Sequence, residues 1–325
     1  MEIEILKPDT SLAVTSLVPL ALVQAGHRYA EAEHASSTKE AYAKDWRTFL
    51  TWCQQVNLSP LPATPETVAL YLTYRAEAGR KPSFIDRNLT SISMAHQKAN
   101  YDNPRKSPLV RQVMKGIRRT KGMQQRQATP LLPRDLKAIS QDLPDRLSGL
   151  RDRALLLLGF AGAFRRSELV GLKVSDVSFV DNGLEVVLRR SKTDQEGKGE
   201  KKGIPFGSDP ATCPVRALRA WLSESHLLKG ALFRAIDKYG NLRLGTLTGR
   251  SVARIIKLRA QEIGLPAEFI SGHSLRSGLA TAAARAGKSA HAIMRQTGHK
   301  SLNMVQKYVR EATLFADNAA SGIGL

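Results

Sequence analysis

The sequence predicts a mainly α-helical protein with one small antiparallel β-sheet, divided into a helical bundle and a larger second domain. Apolar residues recur at helical spacing through four consecutive segments between Ser37 and Lys121. That period then stops across a polar stretch ending in Pro130. Beyond it, the helical pattern resumes with a single interruption of β-type alternation, at Leu184–Leu188 and Ile204–Phe206. Such periodicities are the primary signal of secondary structure.

Residues 1–35 carry little periodicity and read as a flexible or loosely helical arm. Ser37-Thr38 followed by Glu40 resembles an N-terminal capping signature, and Tyr42, Trp46, Phe49, Leu50 and Cys53 then line one helix face. Thr64-Pro65-Glu66 opens a second helix that ends near Gly79. Pro82 opens a third, with Ile85, Leu89, Ile92 and Ala95 inward, and Pro108 to Lys121 forms a fourth. Four helices on short connections make a bundle, residues 36–121. Residues 122–130 form a linker, polar and closed by proline. The second domain, residues 131–325, has helices at about Pro133–Gln141, Gly149–Ala163, Pro214–His226, Thr248–Gly264, His273–Ala286, Ala290–Thr297 and Ser301–Val309. Asp194–Gly203 reads as the loop of a hairpin between its two strands.

Charge narrows the function. The chain's 325 residues carry 49 Lys and Arg against 29 Asp and Glu, a net charge of +20. So large an excess repels itself unless a polyanion is near, which makes nucleic acid the leading partner. A disordered basic tail is excluded by the 42% hydrophobic content. No apolar run reaches the roughly 18 residues of a membrane span, so a membrane is not an expected partner. Cys53 and Cys213 are far apart, which excludes a disulfide scaffold and a zinc finger. Met1–Gln24 lacks the cationic start of a secretory signal, so the expected compartment is a reducing cytoplasm, on the nucleoid.

The positive charge is organised. In the fourth helix Val110, Val113, Met114 and Ile117 form an apolar stripe, while Arg111, Lys115, Arg118 and Arg119 fall on the opposite face. No acidic residue occurs from Pro104 to Thr129, and Lys121 and Arg126 carry the basic band into the linker. Such a band suits a phosphate backbone. The third helix adds Lys81, Arg87 and Asn88, side chains of the kind that reach base edges.

Three segments of the second domain carry chemistry. In Gly162-Ala163-Phe164-Arg165-Arg166-Ser167-Glu168, an apolar helix breaks at a doubly basic turn, and Glu168 stands at the spacing that orients Arg165. In Gly272-His273-Ser274-Leu275-Arg276, a His and an Arg share one face at a helix start. Gly298-His299-Lys300-Ser301 separates two helices, the second of which carries Tyr308. Taken singly, each could be a surface ion pair, a solvated pair and a core tyrosine.

Together they resemble the tyrosine recombinases, or phage-type integrases, from Ser37 to the end of the chain and most closely in the Cre-type branch. The resemblance implies a core-binding bundle, a catalytic domain and the following roles. Arg165 is the first arginine and Glu168 its acidic partner. Lys192, in Arg190-Ser191-Lys192-Thr193, is the hairpin lysine, with Lys198, Lys201 and Lys202 nearby. His273 and Arg276 form the His-x-x-Arg box. His299 occupies a position held by His in most members and by Trp in the Cre type, and Tyr308 is the nucleophile. Arg250 matches a position that reads a base. Arg166 departs from the pattern, which is usually apolar there.

These residue types suit the reaction. Attack on a phosphodiester builds negative charge on non-bridging oxygens, which preorganised donors stabilise. Arginine offers a charged planar fork for that purpose. A tyrosine of ordinary pKa, about 10, needs a base, for which His273 serves, and the departing 5′ oxygen needs a proton, for which Lys192 serves. The cations take the place of a metal, and no cofactor or ATP is required. The resemblance further implies double-stranded DNA with paired inverted half-sites, a dimer on each site, a tetramer in synapsis, a Holliday-junction intermediate, and a terminal helix within Glu311–Ala320 that docks into a neighbouring subunit. Two other readings stand beside this one: a type IB topoisomerase-like enzyme, and a DNA-binding accessory protein without activity.

Overall fold

Proline stands in the first turn of three of the helices in the N-terminal part of the chain, at Pro65, Pro82 and Pro108. Its fixed φ and missing N–H cost nothing there. The computed structural model describes residues 19–31, 36–122, 128–189 and 199–312. They fall into two units, Met1–Gln125 and Arg126–Leu325.

The first unit contains α1 (Leu20–Glu31), α2 (Ser36–Gln55), α3 (Pro65–Glu77), α4 (Pro82–Lys98) and α5 (Pro108–Lys121). Within the expected arm, the described part is therefore an ordered helix, α1. Thr64 caps α3 by accepting the Thr67 N–H at 3.2 Å. Gly79 and Gly122, at φ +76° and +70°, end α3 and α5 in a conformation that glycine adopts without strain. α2 packs on α4 and α3 on α5. Trp46, Phe49, Tyr71, Leu72, Ile85 and Ile92 fill the core between them, with Phe49 and Tyr71 edge to face at 4.9 Å. Each such side chain contributes about 1.5–3 kcal/mol by leaving water.

The second unit contains α6 (Pro133–Asp142), α7 (Leu147–Ala161), α8 (Arg166–Gly171), β1 (Val177–Val180), β2 (Gly183–Leu188), β3 (Glu200–Pro205), α9 (Pro214–Ser225), β4 (Arg234–Ile236), β5 (Leu242–Thr246), α10 (Gly249–Glu262), α11 (Ser274–Arg285), α12 (Ala290–Thr297) and α13 (Leu302–Ala312). β1, β2 and β3 form an antiparallel sheet in that order, with Val186 opposite both Val177 and Lys202. α7 is the spine: Leu155, Leu156, Leu157 and Leu158 are all buried, and α9 packs along it. Thr129 and Leu131, at the end of the polar stretch, already belong to this unit, since their N–H groups bond to the Phe269 and Ser274 carbonyls. Among the described residues, no helix is long and apolar enough to cross a membrane.

The sheet content exceeds the expectation. β1 is an added edge strand, and β4 with β5 forms a second antiparallel pair. All three are short, β1 and β5 mostly exposed and β4 evenly half-buried, so they lack the alternation that identifies a half-buried strand. Two hydrogen bonds to the Asp237 carboxylate, from the N–H groups of Tyr239 and Asn241, shape the β4–β5 turn. β3 begins at Glu200, inside the segment read as loop. Lys192 and most of Glu311–Ala320 lie outside the described residues.

Candidate active site

The site is built on the C-terminal end of α7. Apolar residues hold that helix in the core up to Gly159. Gly162 then leaves room for the Phe164 ring, which a Cβ would meet at 2.2 Å. Ala163 turns the chain with φ +48°. Three successive carbonyls emerge unpaired by the helix, and three side chains from different elements take them. Gln296 of α12 donates Nε2–H to the Ala161 oxygen at 2.7 Å. Lys202 of β3 donates to the Gly162 oxygen at 3.2 Å. Arg276 of α11 donates Nη1–H to the Ala163 oxygen at 2.7 Å. Helix C-termini carry partial negative charge, so donors and cations are favoured there.

Arg165 follows in extended conformation at the start of α8. Glu168, with its side chain 3% exposed, accepts from the Arg165 N–H at 2.8 Å and from its Nη1 at 2.5 Å. Arg165 Nη2 lies 3.4 Å from the Gly298 oxygen, next to His299. His273 precedes α11, and its Nε2 is 3.4 Å from the Tyr308 hydroxyl. Tyr308 lies on α13, half-buried against a small cluster of Ala280, Ala284, Ile293 and Val305. The His299 ring is 6.1 Å from the Tyr308 ring, and its Nδ1 is 2.7 Å from Thr297 Oγ1.

Arg165, Glu168, His273, Arg276, His299 and Tyr308 are thus brought together by α7, α8, α11, α12 and α13. Their mutual field is strongly positive. Burial, then Arg276 and Arg165, push the His299 imidazole down to about 4. Burial, then Arg276, Arg165 and Arg166, lower His273, although its ring opens onto solvent. Burial first and Arg165 second bring even the Arg276 guanidinium down to about 10. Neutral histidines beside fixed arginines can accept a proton, and the arginines can neutralise an anion.

The phage integrase family model matches residues 130–314 of this chain. An integrase/recombinase XerD homolog from Selenomonas ruminantium is 43% identical over 297 residues, covering 90% of this chain and 86% of that protein.

The chain belongs to the phage integrase family.

Recombinase Cre of Escherichia phage P1 is 27% identical over 302 residues, spanning 87% of this integrase-family chain and 85% of Cre. The XerH site-specific recombinase, in a post-cleavage complex with a palindromic difH substrate, shares the fold at a TM-score of 0.62 and 17% identity, covering 98% of this chain and 95% of that one. A λ integrase dimer bound to a COC′ core site has a TM-score of 0.57 at 18% identity, covering 89% and 93%.

In this integrase-family chain, the expected DNA contacts divide by exposure. Arg111, Lys115, Arg119 and Lys121 are exposed on α5, and Lys81 is exposed beside the start of α4. Arg118 is half-free, sharing Asp86 with Arg105 at 2.9 and 2.6 Å. Arg87 makes two bonds to the buried Asp45 carboxylate, at 2.7 and 3.1 Å, and keeps 42% of its side chain exposed. Asn88 is a correction. It is 1% exposed and accepts the Tyr71 hydroxyl at 3.5 Å, so it faces the core of the bundle and not a base edge. On α4 it sits one residue beyond Arg87, and that 100° step turns it inward. Arg250 is exposed at the start of α10 and lines one groove with Arg165, Arg166, Lys257 and His273.

Two features escaped the sequence. Arg166 has its stem laid over Gly272, where a Cβ would meet Cδ at 1.9 Å. Gly272 and Arg166 are thus one arrangement, unreadable without the fold. Lys202 is the second: an inward residue of β3, 3% exposed. Its placement on a buried strand face was the available signal, masked by reading that strand as loop.

Proposed function

We propose that this chain is a site-specific DNA recombinase, breaking and rejoining strands through a covalent tyrosyl intermediate. The observation that carries this is the Tyr308 hydroxyl, 3.4 Å from His273 Nε2 and close to the His299 ring, with Arg276 and Arg165 as electrostatic neighbours. Tyr308 Oη attacks the scissile phosphorus while His273 Nε2 takes its proton. Arg165, steadied by Glu168, and Arg276, with one nitrogen anchored on the Ala163 carbonyl, donate to the non-bridging oxygens. His299, which burial and the neighbouring arginines keep neutral, adds a ring N–H donor and no charge. The bond from phosphorus to the 5′ oxygen breaks, and Lys192, from the hairpin segment, gives that oxygen its proton. The products are a 3′-phosphotyrosine and a 5′-hydroxyl. The phosphodiester energy is conserved, so a hydroxyl of another strand reverses the chemistry without ATP or metal.

The partners that accompany this chemistry are duplex DNA with paired inverted half-sites and further copies of the chain, two on a site and four in synapsis through a Holliday junction. Residues 36–121 serve as the core-binding domain and 131–325 as the catalytic domain, joined by the linker 122–130 and preceded by the arm. The tail within Glu311–Ala320 docks on a neighbour, and an apolar groove of 440 Å³ lined by Leu136, Phe160, Phe206 and Ile293 is of suitable character. The work takes place in the cytoplasm, on the nucleoid. The relatives named as recombinases favour this reading over a type IB topoisomerase or an inactive accessory protein.

The test begins with the Tyr308→Phe variant, used to select half-sites from a randomised duplex pool. A nicked duplex carrying the selected sites is then offered to both proteins. The unaltered chain should form a denaturant-stable 3′ adduct and the variant should bind without one. An adduct that persists in the variant removes Tyr308 as nucleophile, and relaxation of any supercoiled DNA without site preference would favour the topoisomerase.

A further inference from the structure

Lys202 is an anomaly of the fold. In β3 the alternation puts Lys202 and Ile204 on the buried side, and Lys201 and Gly203 outside. An inward strand position ordinarily takes an apolar residue, and burying an ammonium is costly unless it is fully engaged. Here both hydrogen-bond partners among the described residues are main-chain carbonyls: Gly162 at 3.2 Å and Gln296 at 2.5 Å. The Phe164 ring lies 5.5 Å from the same nitrogen. No carboxylate shares a hydrogen bond with it among the described residues.

The two carbonyls are informative. Gly162 caps the C-terminus of α7, and Gln296 is in the last turn of α12. Two helices therefore direct their partly negative ends at one buried cation. Each carbonyl lies three residues before a site residue, Arg165 in one case and His299 in the other. The Gln296 side chain reinforces the same join through the Ala161 carbonyl.

We infer that Lys202 is a positioning residue of the strand-transfer reaction, whose ammonium clamps the segment carrying Arg165 to the segment carrying His299. This rests on the active-site assignment above. Without the clamp, two helix ends repel each other across the gap, and the phosphate-gripping groups lose their common geometry. A misplacement of an ångström is enough to slow chemistry about 10²-fold. Burial lowers the Lys202 pKa, Glu200 and Glu168 oppose that fall, and Arg276 and Arg165 add to it.

The discriminating measurement separates rate from binding. On the selected nicked duplex, Lys202→Met should cleave about 10²-fold more slowly in single turnover. Its equilibrium affinity for the same duplex, measured in the Tyr308→Phe background, should stay within about threefold, because no DNA contact is removed. Lys202→Arg, which keeps a charged donor, should recover most of the lost rate. Cleavage by Lys202→Met at the unaltered rate would overturn the assignment, as would a loss of affinity equal to the loss of rate. Should the Met variant fail to fold, Lys202→Gln decides: slowed cleavage at held affinity supports the clamp, and an unchanged rate refutes it. Persistence of the adduct in Tyr308→Phe alone would instead defeat the nucleophile assignment.

Discussion

Glu168→Gln tests how Arg165 is held. The carboxylate accepts two bonds, from the Arg165 N–H at 2.8 Å and from its guanidinium at 2.5 Å, and it is 6% exposed as a residue. A glutamine keeps the shape but has one acceptor oxygen. One of the two bonds is lost, and the amide NH2 then faces a donor. A hydrogen bond to a charged group is worth about 1.5–3 kcal/mol, so the variant should lose about 2 kcal/mol of stability. For a domain of this size each kcal/mol moves Tm by about 2–4 °C, which predicts a fall of roughly 4–8 °C. If the released Arg165 loses the same amount of transition-state stabilisation, cleavage slows about 30-fold. Glu168→Ala, which strands the guanidinium, should cost more, about 3–5 kcal/mol. Thermal melts and single-turnover cleavage of the nicked duplex measure both effects. A glutamine variant with unchanged Tm and unchanged rate would show that Arg165 is oriented by something other than this carboxylate.

Other expectations follow from the same geometry. Burial first, and then the cations around it, keep His273 neutral below its ordinary pKa, so the base form persists as pH falls through 6.5, and cleavage should decline only at lower pH. Arg166→Leu removes one of those cations and should move that decline to higher pH; a profile identical to the parent would mean that Arg166 does not act on the base. On the bundle, Lys115→Ala should weaken DNA binding and reduce the slope of log K against log salt by about 0.9, the value of one phosphate contact. Asn88→Ala should instead lower the bundle's stability at unchanged salt slope, and equal slope changes in the two variants would contradict the burial of Asn88. His96 is buried, accepts the Ala63 N–H at 2.9 Å through Nε2, and has a lowered pKa, chiefly from burial. A depressed histidine contributes stability that is whole above the unfolded value near 6.5 and is lost as pH falls below it. The midpoint of the His96 ring signals in an NMR titration should therefore lie below 6.5, and a midpoint at or above 6.5 would refute this.

The sequence by itself determined whatever depends on near neighbours. Helical spacing placed α2 to α7 and α9 to α13 to within a few residues, because an amphipathic period and proline or glycine stops are local signals. It also identified Arg165, Glu168, His273, Arg276, His299 and Tyr308 as a set, since their order and spacing resemble one family and each stands beside a helix end or turn. Tertiary structure alone decided how that set is held. The three carbonyls at the end of α7 meet donors from β3, α11 and α12, more than a hundred residues away for Arg276 and Gln296, and no local pattern encodes such partners. Asn88 and Arg87 are adjacent in sequence and opposite in environment, because the packing of α2 and α3 on α4 settles which one faces the core. Short exposed strands gave no local signal for the same reason, since their conformation is stabilised by pairing supplied from elsewhere in the chain, and the inward face of β3 at Lys202 was obscured by reading its segment as loop.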